Sequence, residues 1–155
     1  MDSSSDEHAL RSLFSSAELA EIDSRSIKRE SDGSKDALSL LINWRSHIEK
    51  IDRDRALSWD DRSVWNQYDL VAALTIRDHL QCALEVLPAD VRSKIENWVL
   101  KVDEKFSDFT VSDSGERIQR VVGQSINGRQ WWWFRIPADG PIATDFERMA
   151  KQGWS

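Results

Sequence analysis

The sequence predicts a mainly α-helical protein: an antiparallel bundle of about five helices with an irregular, Trp-rich C-terminal arm. Three observations favour this fold. Apolar residues recur at helical spacing through most of the chain up to Thr110, the two longest patterns are joined by only a few residues, and the character changes after Thr110. A chain of 155 residues favours one domain. We expect residues 1–5 to be disordered and residues 6–155 to form a single helical domain.

The N-terminal region predicts two short helices, or one helix with a kink near Ser15. Apolar residues within 9–14 share a helical face. Ser15, with Glu18 three residues later, matches the capping box that begins a helix. Residues 28–34 have no apolar periodicity and are typical of a loop.

A clear amphipathic helix is predicted after this loop. Ser34 fits its N-cap position, and the alternating charges of residues 52–55 are typical of a solvated helix end. The apolar residues between them keep the spacing of one helical face: Ala37, Leu41, Trp44, Ile48 and Ile51.

The longest helical pattern runs from Trp59 to Leu87, with Ser58 as the expected N-cap. Its apolar residues cover more than half of the circumference, which is typical of a helix that packs on two sides. The remaining polar strip consists of Gln67, Arg77, Asp78, Gln81 and Glu85. We therefore predict that it is the central helix. Cys82 falls on it, and we expect a buried thiol that behaves as a small apolar residue.

The next helix is predicted to begin at Pro88, which suits a first turn, with Asp90 at the positive end of the helix dipole. The connection from the central helix is so short that the two should be antiparallel neighbours. One face of this helix carries Val91, Ile95, Trp98, Val102, Phe106 and Phe109.

The C-terminal arm after Thr110 is less regular. Asn127-Gly128 is typical of hairpin turns and predicts a short β-hairpin at 121–135, whereas the apolar spacing of 118–122 fits a helix. The sequence leaves open whether 121–135 is helix or hairpin. Helical spacing then predicts a short final helix through Ile142, Phe146 and Met149.

The composition is that of a soluble globular protein, with 40 % apolar and 31 % charged residues. No apolar stretch approaches the roughly 20 residues that a membrane span needs. The N-terminus lacks the basic and apolar regions of a signal peptide, and the single Cys82 fits a reducing compartment. We therefore expect a cytoplasmic protein without membrane association.

The net charge of −6 is unevenly distributed. The first hundred residues hold 13 Lys and Arg against 19 Asp and Glu, whereas residues 101–155 hold eight of each. An acidic chain argues against general nucleic-acid binding, which is driven by phosphate neutralisation, and favours a basic protein partner. A weaker alternative is nucleic-acid binding through Arg117, Arg120, Arg129 and Arg135.

The sequence carries no motif of a known chemistry. No two of its histidines lie three or four residues apart, and it has neither a CxxC nor an HExxH metal motif. It also lacks a Walker loop, a GxGxxG fingerprint and a GxSxG elbow. We expect no metal, no cofactor and no catalytic residue, and a non-enzymatic function is the preferred interpretation.

The most unusual feature is the Trp run, Trp131, Trp132 and Trp133, which lies between Arg129 and Arg135. Such residues can close a core, with an arginine stacked on an indole face. Exposed tryptophan beside arginine is also the composition of a binding hot spot. Because three consecutive side chains cannot all point the same way, at least one tryptophan should face away from the bundle. All five residues are candidate binding residues.

Two polar residues, Asp69 and His79, interrupt the apolar arc of the central helix. A histidine in such a position is usually hydrogen-bonded within a core or interface. A buried carboxylate needs a partner, such as an arginine of a neighbouring element. As the alternative to these structural roles, both are candidate pocket residues.

Several motifs together resemble a known group of proteins. They are Arg77-Asp78-x-Leu80, Leu87-Pro88, Trp98-x3-Val102-Asp103-x2-Phe106 and Trp131-Trp132-Trp133-x-Arg135. This combination, over about residues 64–135, resembles a group of small bacterial helical proteins that end in a WWW-x-R run. The resemblance implies a helical fold and a structurally important Trp run, and it implies no particular activity.

Two functions remain in view. The first is a protein–protein interaction module, an acidic inhibitor of a partner protein, similar to an immunity protein or an antitoxin, which covers a basic site with carboxylates. The alternative is a small-molecule-binding protein or enzyme, with a pocket lined by the Trp run, Arg135 and His79.

Overall fold

The protein is a mainly α-helical bundle with a Trp-rich C-terminal arm, which confirms the predicted fold class. A computed structural model describes residues 3–29 and 33–152. The α-helices in these residues are α1 Ser3–Arg11, α2 Ser16–Ser24, α3 Ala37–Asp54, α4 Gln67–Glu85, α5 Ala89–Phe109, α6 Glu116–Val122 and α7 Pro141–Lys151. A short 3-10 helix spans Trp131–Phe134, and the strands are β1 Ile27–Arg29, β2 Gly33–Lys35, β3 Thr110–Ser112 and β4 Arg135–Pro137.

The chain divides into two compact units. Unit 1 comprises Met1–Ser46 and Ile76–Asp103, and unit 2 comprises His47–Thr75 and Glu104–Ser155. Helix α1 begins at Ser3, within the stretch that the sequence predicts to be disordered. The single domain over residues 6–155 stays a prediction.

Unit 1 begins with two short helices, which is one of the two alternatives that the sequence predicts. The Ser15 hydroxyl accepts a hydrogen bond from the Glu18 amide at 3.1 Å, and the Glu18 carboxylate accepts one from the Ser15 amide at 2.9 Å. These two bonds satisfy N–H groups that the start of a helix leaves without intrahelical partners. The chain therefore restarts as α2 at Ser16 after α1 ends at Arg11.

The segment between α2 and α3 contains a strand pair, although the sequence predicts a loop over 28–34. β1 and β2 are antiparallel, with Ile27 opposite Lys35. Residues 30–32 lie outside the described residues. Three residues per strand are too few for an alternating apolar pattern to be recognised.

The sequence predicts Ser34 as the N-cap of α3, but Ser34 lies in β2, and the residue that directly precedes α3 is Asp36. Asp36 Oδ1 accepts a hydrogen bond from the Ser39 amide at 3.0 Å, and the Arg11 guanidinium donates to the same oxygen at 2.9 Å. An aspartate at this position satisfies a helix N–H as well as a serine does. The ion pair with Arg11 lets the carboxylate remain buried.

Helix α3 buries all five apolar residues of its predicted face, from Ala37 to Ile51. The buried face of α4 differs from the predicted one, because Arg77 is only 5 % exposed. Cys82 is exposed, so the prediction of a buried thiol is wrong. The helical wheel assigned Arg77 to the polar strip, whereas a charge can be buried when a partner neutralises it.

Unit 2 contains a long exposed connection before α4, so the predicted helix start at Trp59 is wrong. The reason lies at the end of α3, where the sequence predicts a solvated end. Asp54 is buried and accepts hydrogen bonds from Lys50 Nζ at 2.5 Å and from the Trp65 amide at 2.8 Å. This carboxylate fixes the chain just ahead of α4, and residues 56–63 are all exposed.

The sequence leaves helix or hairpin open for 121–135, and neither forms over the whole segment. Helix α6 ends at Val122, and β4 pairs with β3, with Arg135 opposite Ser112. Asn127-Gly128 does form a turn, closed by a 3.1 Å bond from the Arg129 amide to the Ile126 carbonyl. Only Gly128 has positive φ there, as in a type II turn. A two-residue type I′ hairpin needs positive φ at both central residues.

Candidate binding site

The three residues of the Trp run have different environments. Trp132 and Trp133 are each 2 % exposed, whereas Trp131 is 42 % exposed. The 3-10 helix turns by about 120° per residue, so consecutive side chains must point in different directions. One tryptophan therefore faces solvent, as the sequence predicts, and it is the first of the three.

The exposed Trp131 is held against buried aromatic rings. Its ring centroid lies 6.2 Å from that of Phe106 and 5.6 Å from that of Trp132, with an edge-to-face angle of 80° to Trp132. These are favourable aromatic geometries. One part of the indole therefore packs in unit 2, and the remainder is presented to solvent.

The two arginines that flank the Trp run contact groups within unit 2. The Arg129 guanidinium lies 4.3 Å from the Trp133 ring centroid. Arg135 donates from Nε to Thr110 Oγ1 at 2.8 Å, and from Nη2 to the carbonyl oxygens of Thr110 at 2.8 Å and Ser107 at 3.1 Å. Arg135 thus ties β4 to the end of α5 and to β3. It acts here as a structural clamp and offers little to a ligand.

A second exposed tryptophan, Trp59, is also held in one orientation, and sequence reasoning missed it. Its Nε1 donates to Asp145 Oδ1 at 2.6 Å, and the Arg148 guanidinium lies 4.0 Å from its ring centroid. Asp145 Oδ2 also accepts from the Gln67 amide at 3.1 Å. The sequence placed Trp59 in the central helix, and the carboxylate that holds it lies 86 residues away.

Asp69, a predicted pocket residue, has a role in starting α4. Its Oδ2 accepts a hydrogen bond from the Asn66 amide at 2.9 Å, while Asn66 Oδ1 accepts one from the Tyr68 amide at 2.9 Å. Asn66 Oδ1 also accepts from the Asp69 amide at 3.4 Å, so the arrangement is a capping box with Asn66 at the N-cap. The Asp69 carboxylate is thus bound by a backbone amide, and not by the arginine that the sequence predicts.

His79, the other predicted pocket residue, is half-buried on α4 in unit 1. It lines neither of the two clefts described here. One, of about 560 Å³, is a wide depression in unit 2 around the end of α6. The other, of about 320 Å³, lies in unit 1 and is lined by residues of α4 and α5.

The smaller cleft contains a buried ion pair. Arg77 donates to Asp103 through Nε at 3.0 Å and through Nη2 at 2.9 Å, and Trp44 Nε1 donates to Asp103 Oδ1 at 3.0 Å. Arg77 Nη1 also donates to Gln81 at 3.1 Å. Arg77 and Asp103 both occur in the motifs that carry the resemblance, which was the one sequence signal for this site.

Within the described residues, no group of three or more His, Cys, Asp or Glu side chains is arranged to hold a metal ion. None of the helices in this part of the chain has both the length and the apolar character to cross a membrane. Comparisons with protein-family models, with curated proteins and with solved structures find no match to this chain. The resemblance to WWW-x-R proteins therefore stays a prediction.

Proposed function

We propose that this protein is a protein-binding module, an acidic inhibitor of a basic partner protein of the immunity or antitoxin kind. The observation that carries the proposal is Trp131, which is 42 % exposed and yet packed against Phe106 and Trp132. An aromatic side chain of this kind is a hot-spot anchor.

The rigidity of Trp131 supports this role. Binding immobilises side chains at an interface, and each flexible side chain costs affinity when it is fixed. The contacts with Phe106 and Trp132 fix the indole before a partner arrives. Unit 2 also presents Trp59 and Tyr68, so the large exposed aromatics of the described residues lie in this unit.

The charge supports a basic partner. The chain has a net charge of −6. Three arginines of the Trp-rich arm also make contacts within the protein. Arg135 donates to backbone carbonyls, Arg129 stacks on Trp133, and Arg120 lies 3.5 Å from Glu116. These cations have less capacity to attract an anionic ligand than the sequence suggests.

The alternative of a pocket lined by the Trp run has no such support. A pocket at this place would need open space beside Trp132 and Trp133, and each is only 2 % exposed. It would also need the Arg135 guanidinium, which already donates to Thr110 and Ser107.

The test compares two exposed apolar positions. Purified full-length protein, immobilised, is exposed to extract of its native host at low ionic strength, in wild-type, Trp131→Ala and Leu13→Ala forms. A basic partner should be retained by the wild type and by Leu13→Ala, whose side chain is more exposed than that of Trp131. It should be lost from Trp131→Ala and should elute as salt is added.

Calorimetry with the purified partner then measures the loss of binding affinity in Trp131→Ala. Truncation of a hot-spot tryptophan costs about 2 kcal/mol or more, which weakens Kd by roughly 30-fold. Retention of no partner at low salt, or equal affinity of the Trp131→Ala and wild-type proteins, would contradict the proposal.

A further inference from the structure

The cleft of about 320 Å³ in unit 1 has a volume within the range of ligand pockets. Arg77 and Gln81 of α4 line one side, and Ser93, Glu96 and Asn97 of α5 line the other. Both helix segments belong to the same compact unit. The site is thus a groove between two packed helices.

The ion pair makes this cleft preformed. Two parallel hydrogen bonds join Arg77 to Asp103, at 3.0 and 2.9 Å, and both residues are buried. A bidentate pair fixes geometry as well as distance. It holds this part of α4 and α5 in one arrangement, so a ligand would not have to bring the two helices together.

The same ion pair determines the charge of the cleft. The charges of Arg77 and Asp103 cancel, and Asp103 also accepts from Trp44 Nε1. The remaining ionisable lining residue is Glu96, a half-buried carboxylate. The cleft therefore carries one net negative charge, that of the Glu96 carboxylate.

Three polar side chains of α5 remain to bind a ligand. Among the described residues, Ser93, Glu96 and Asn97 make no side-chain hydrogen bond or ion pair with another residue. They lie within one helical turn, at i, i+3 and i+4, and so share a face. The apolar lining residues are Leu84, Val99 and Leu100, of which Leu100 is exposed and the other two are buried.

We propose that this cleft binds the guanidinium group of an arginine side chain from the basic partner, an inference that rests on the proposed function. A guanidinium is planar and weakly hydrated, so one of its faces can lie against the exposed Leu100 while its edge donates to acceptors. Glu96 supplies a charged acceptor, and the Asn97 and Ser93 oxygens supply neutral ones. An anionic ligand would meet the Glu96 carboxylate and be repelled.

The experiment uses a matched pair of small probes. N-acetyl-arginine amide and N-acetyl-citrulline amide have the same shape, and only the first carries a charge. Each is titrated into the full-length protein while NMR follows the side-chain amides of Gln81 and Asn97. The arginine probe should give saturable shifts at both amides, and the citrulline probe should bind about tenfold more weakly or not at all.

Three substitutions test whether the arginine probe binds in this cleft. Glu96→Gln removes the charged acceptor and should weaken binding of the arginine probe about tenfold. Asp23→Asn makes the same change of charge at an exposed position outside the cleft lining and should leave the affinity unchanged. Ser93→Trp places bulk at an exposed position of the cleft and should abolish the shifts, with circular dichroism verifying that the helices remain.

Equal binding of the two probes, or equal loss in Glu96→Gln and Asp23→Asn, would overturn the inference. Its failure can be told apart from that of the proposed function. Partner capture that depends on Trp131 without any arginine-probe binding overturns the cleft assignment alone. If no partner is captured, the proposed function is contradicted. The proposal that the arginine comes from this partner is then contradicted as well. If both hold, Glu96→Gln should also weaken binding of the partner about tenfold.

Discussion

Arg77 and Asp103 form a buried, bidentate ion pair, with Nε–Oδ1 at 3.0 Å and Nη2–Oδ2 at 2.9 Å. The two residues lie on different helices of unit 1 and are 5 % and 7 % exposed. Trp44 adds a third donor to the carboxylate. Such a pair contributes little net stability relative to apolar side chains, but it leaves a large cost when one partner is removed.

Asp103→Asn should therefore destabilise the protein strongly. The substitution keeps the size of the side chain and leaves the Arg77 charge buried without a counter-charge. We expect a loss of about 3–5 kcal/mol in the free energy of unfolding, measured by urea denaturation. Glu104→Gln, at the adjacent exposed position of α5, should change it by less than about 0.5 kcal/mol. Similar losses in both variants would contradict the structural importance of the pair.

This pair also marks the limit of prediction from periodicity. The five apolar residues of α3, the capping box of α2 and the final helix α7 were all predictable because each signal lies within one element. Arg77 and Asp103 are 26 residues apart, and each alone is polar. A helical wheel places such residues on the solvent side, since it contains no information about a neutralising partner on another helix.

The pKa of Glu18 is lowered, chiefly by its hydrogen bond with Lys94 at 2.6 Å and then by the bond from the Ser15 amide. A carboxyl group with a lowered folded-state pKa stabilises the fold above its unfolded-state pKa, and this stabilisation is lost as pH falls through the folded-state pKa. We expect Lys94→Gln to raise the Glu18 pKa and to weaken this acidic pH dependence. A carbon-13 NMR titration of the Glu18 carboxyl group measures its pKa in the wild-type and Lys94→Gln proteins.

The control for this titration is Lys101→Gln. Lys101 lies over the Trp98 ring, at 4.4 Å from its centroid, and it is not a partner of Glu18. Its removal makes the same change of net charge and should leave the Glu18 pKa lowered. An equal rise of the Glu18 pKa in both variants would mean that overall charge, and not the bond from Lys94, sets it.

Trp131→Ala and Trp132→Ala should differ greatly in stability. Trp132 is 2 % exposed, and truncation of a buried tryptophan costs about 3–5 kcal/mol, since it removes apolar contacts and leaves a cavity. Trp131 is 42 % exposed, and part of its ring packs on Phe106 and Trp132. We therefore expect Trp131→Ala to lower the free energy of unfolding by about 1–2 kcal/mol. Urea denaturation measures both. A Trp131→Ala loss as large as that of Trp132→Ala would assign Trp131 to the core and remove the basis of the binding proposal.

The Trp run shows what a linear motif can and cannot predict. Three consecutive side chains must diverge in any backbone conformation, so one exposed tryptophan was predictable. Which one is exposed depends on the 3-10 geometry and on Phe106 of α5, and neither follows from the run itself. Arg135 looked like a binding residue because arginine beside tryptophan is common in interfaces. Its actual partners include the Thr110 hydroxyl and the backbone carbonyls of Ser107 and Thr110. Because every residue has a backbone carbonyl, no sequence pattern predicts these contacts.

The N-terminus of α6 depends on Gly115, and a pair of alanine substitutions separates two reasons for this. Gly115 has φ +94°, and a Cβ atom there would lie 2.9 Å from side-chain atoms of both Ile126 and Phe134. Gly123, at the C-terminus of α6, has φ +82° with nothing within 4 Å of such an atom. Both alanine variants incur the backbone strain, about 1–2 kcal/mol, because L-residues disfavour positive φ.

Only Gly115→Ala adds a steric clash with the ring that follows the Trp run, for which overpacking costs about 1–3 kcal/mol more. We therefore expect Gly115→Ala to lower the free energy of unfolding by about 2–5 kcal/mol and Gly123→Ala by about 1–2 kcal/mol. Urea denaturation of the two variants, with near-ultraviolet circular dichroism as a probe of tryptophan packing, provides the measurement. The near-ultraviolet signal should change in Gly115→Ala alone, since only this Cβ displaces Phe134. Equal losses with unchanged tryptophan signals would show that backbone conformation alone explains the glycine at 115.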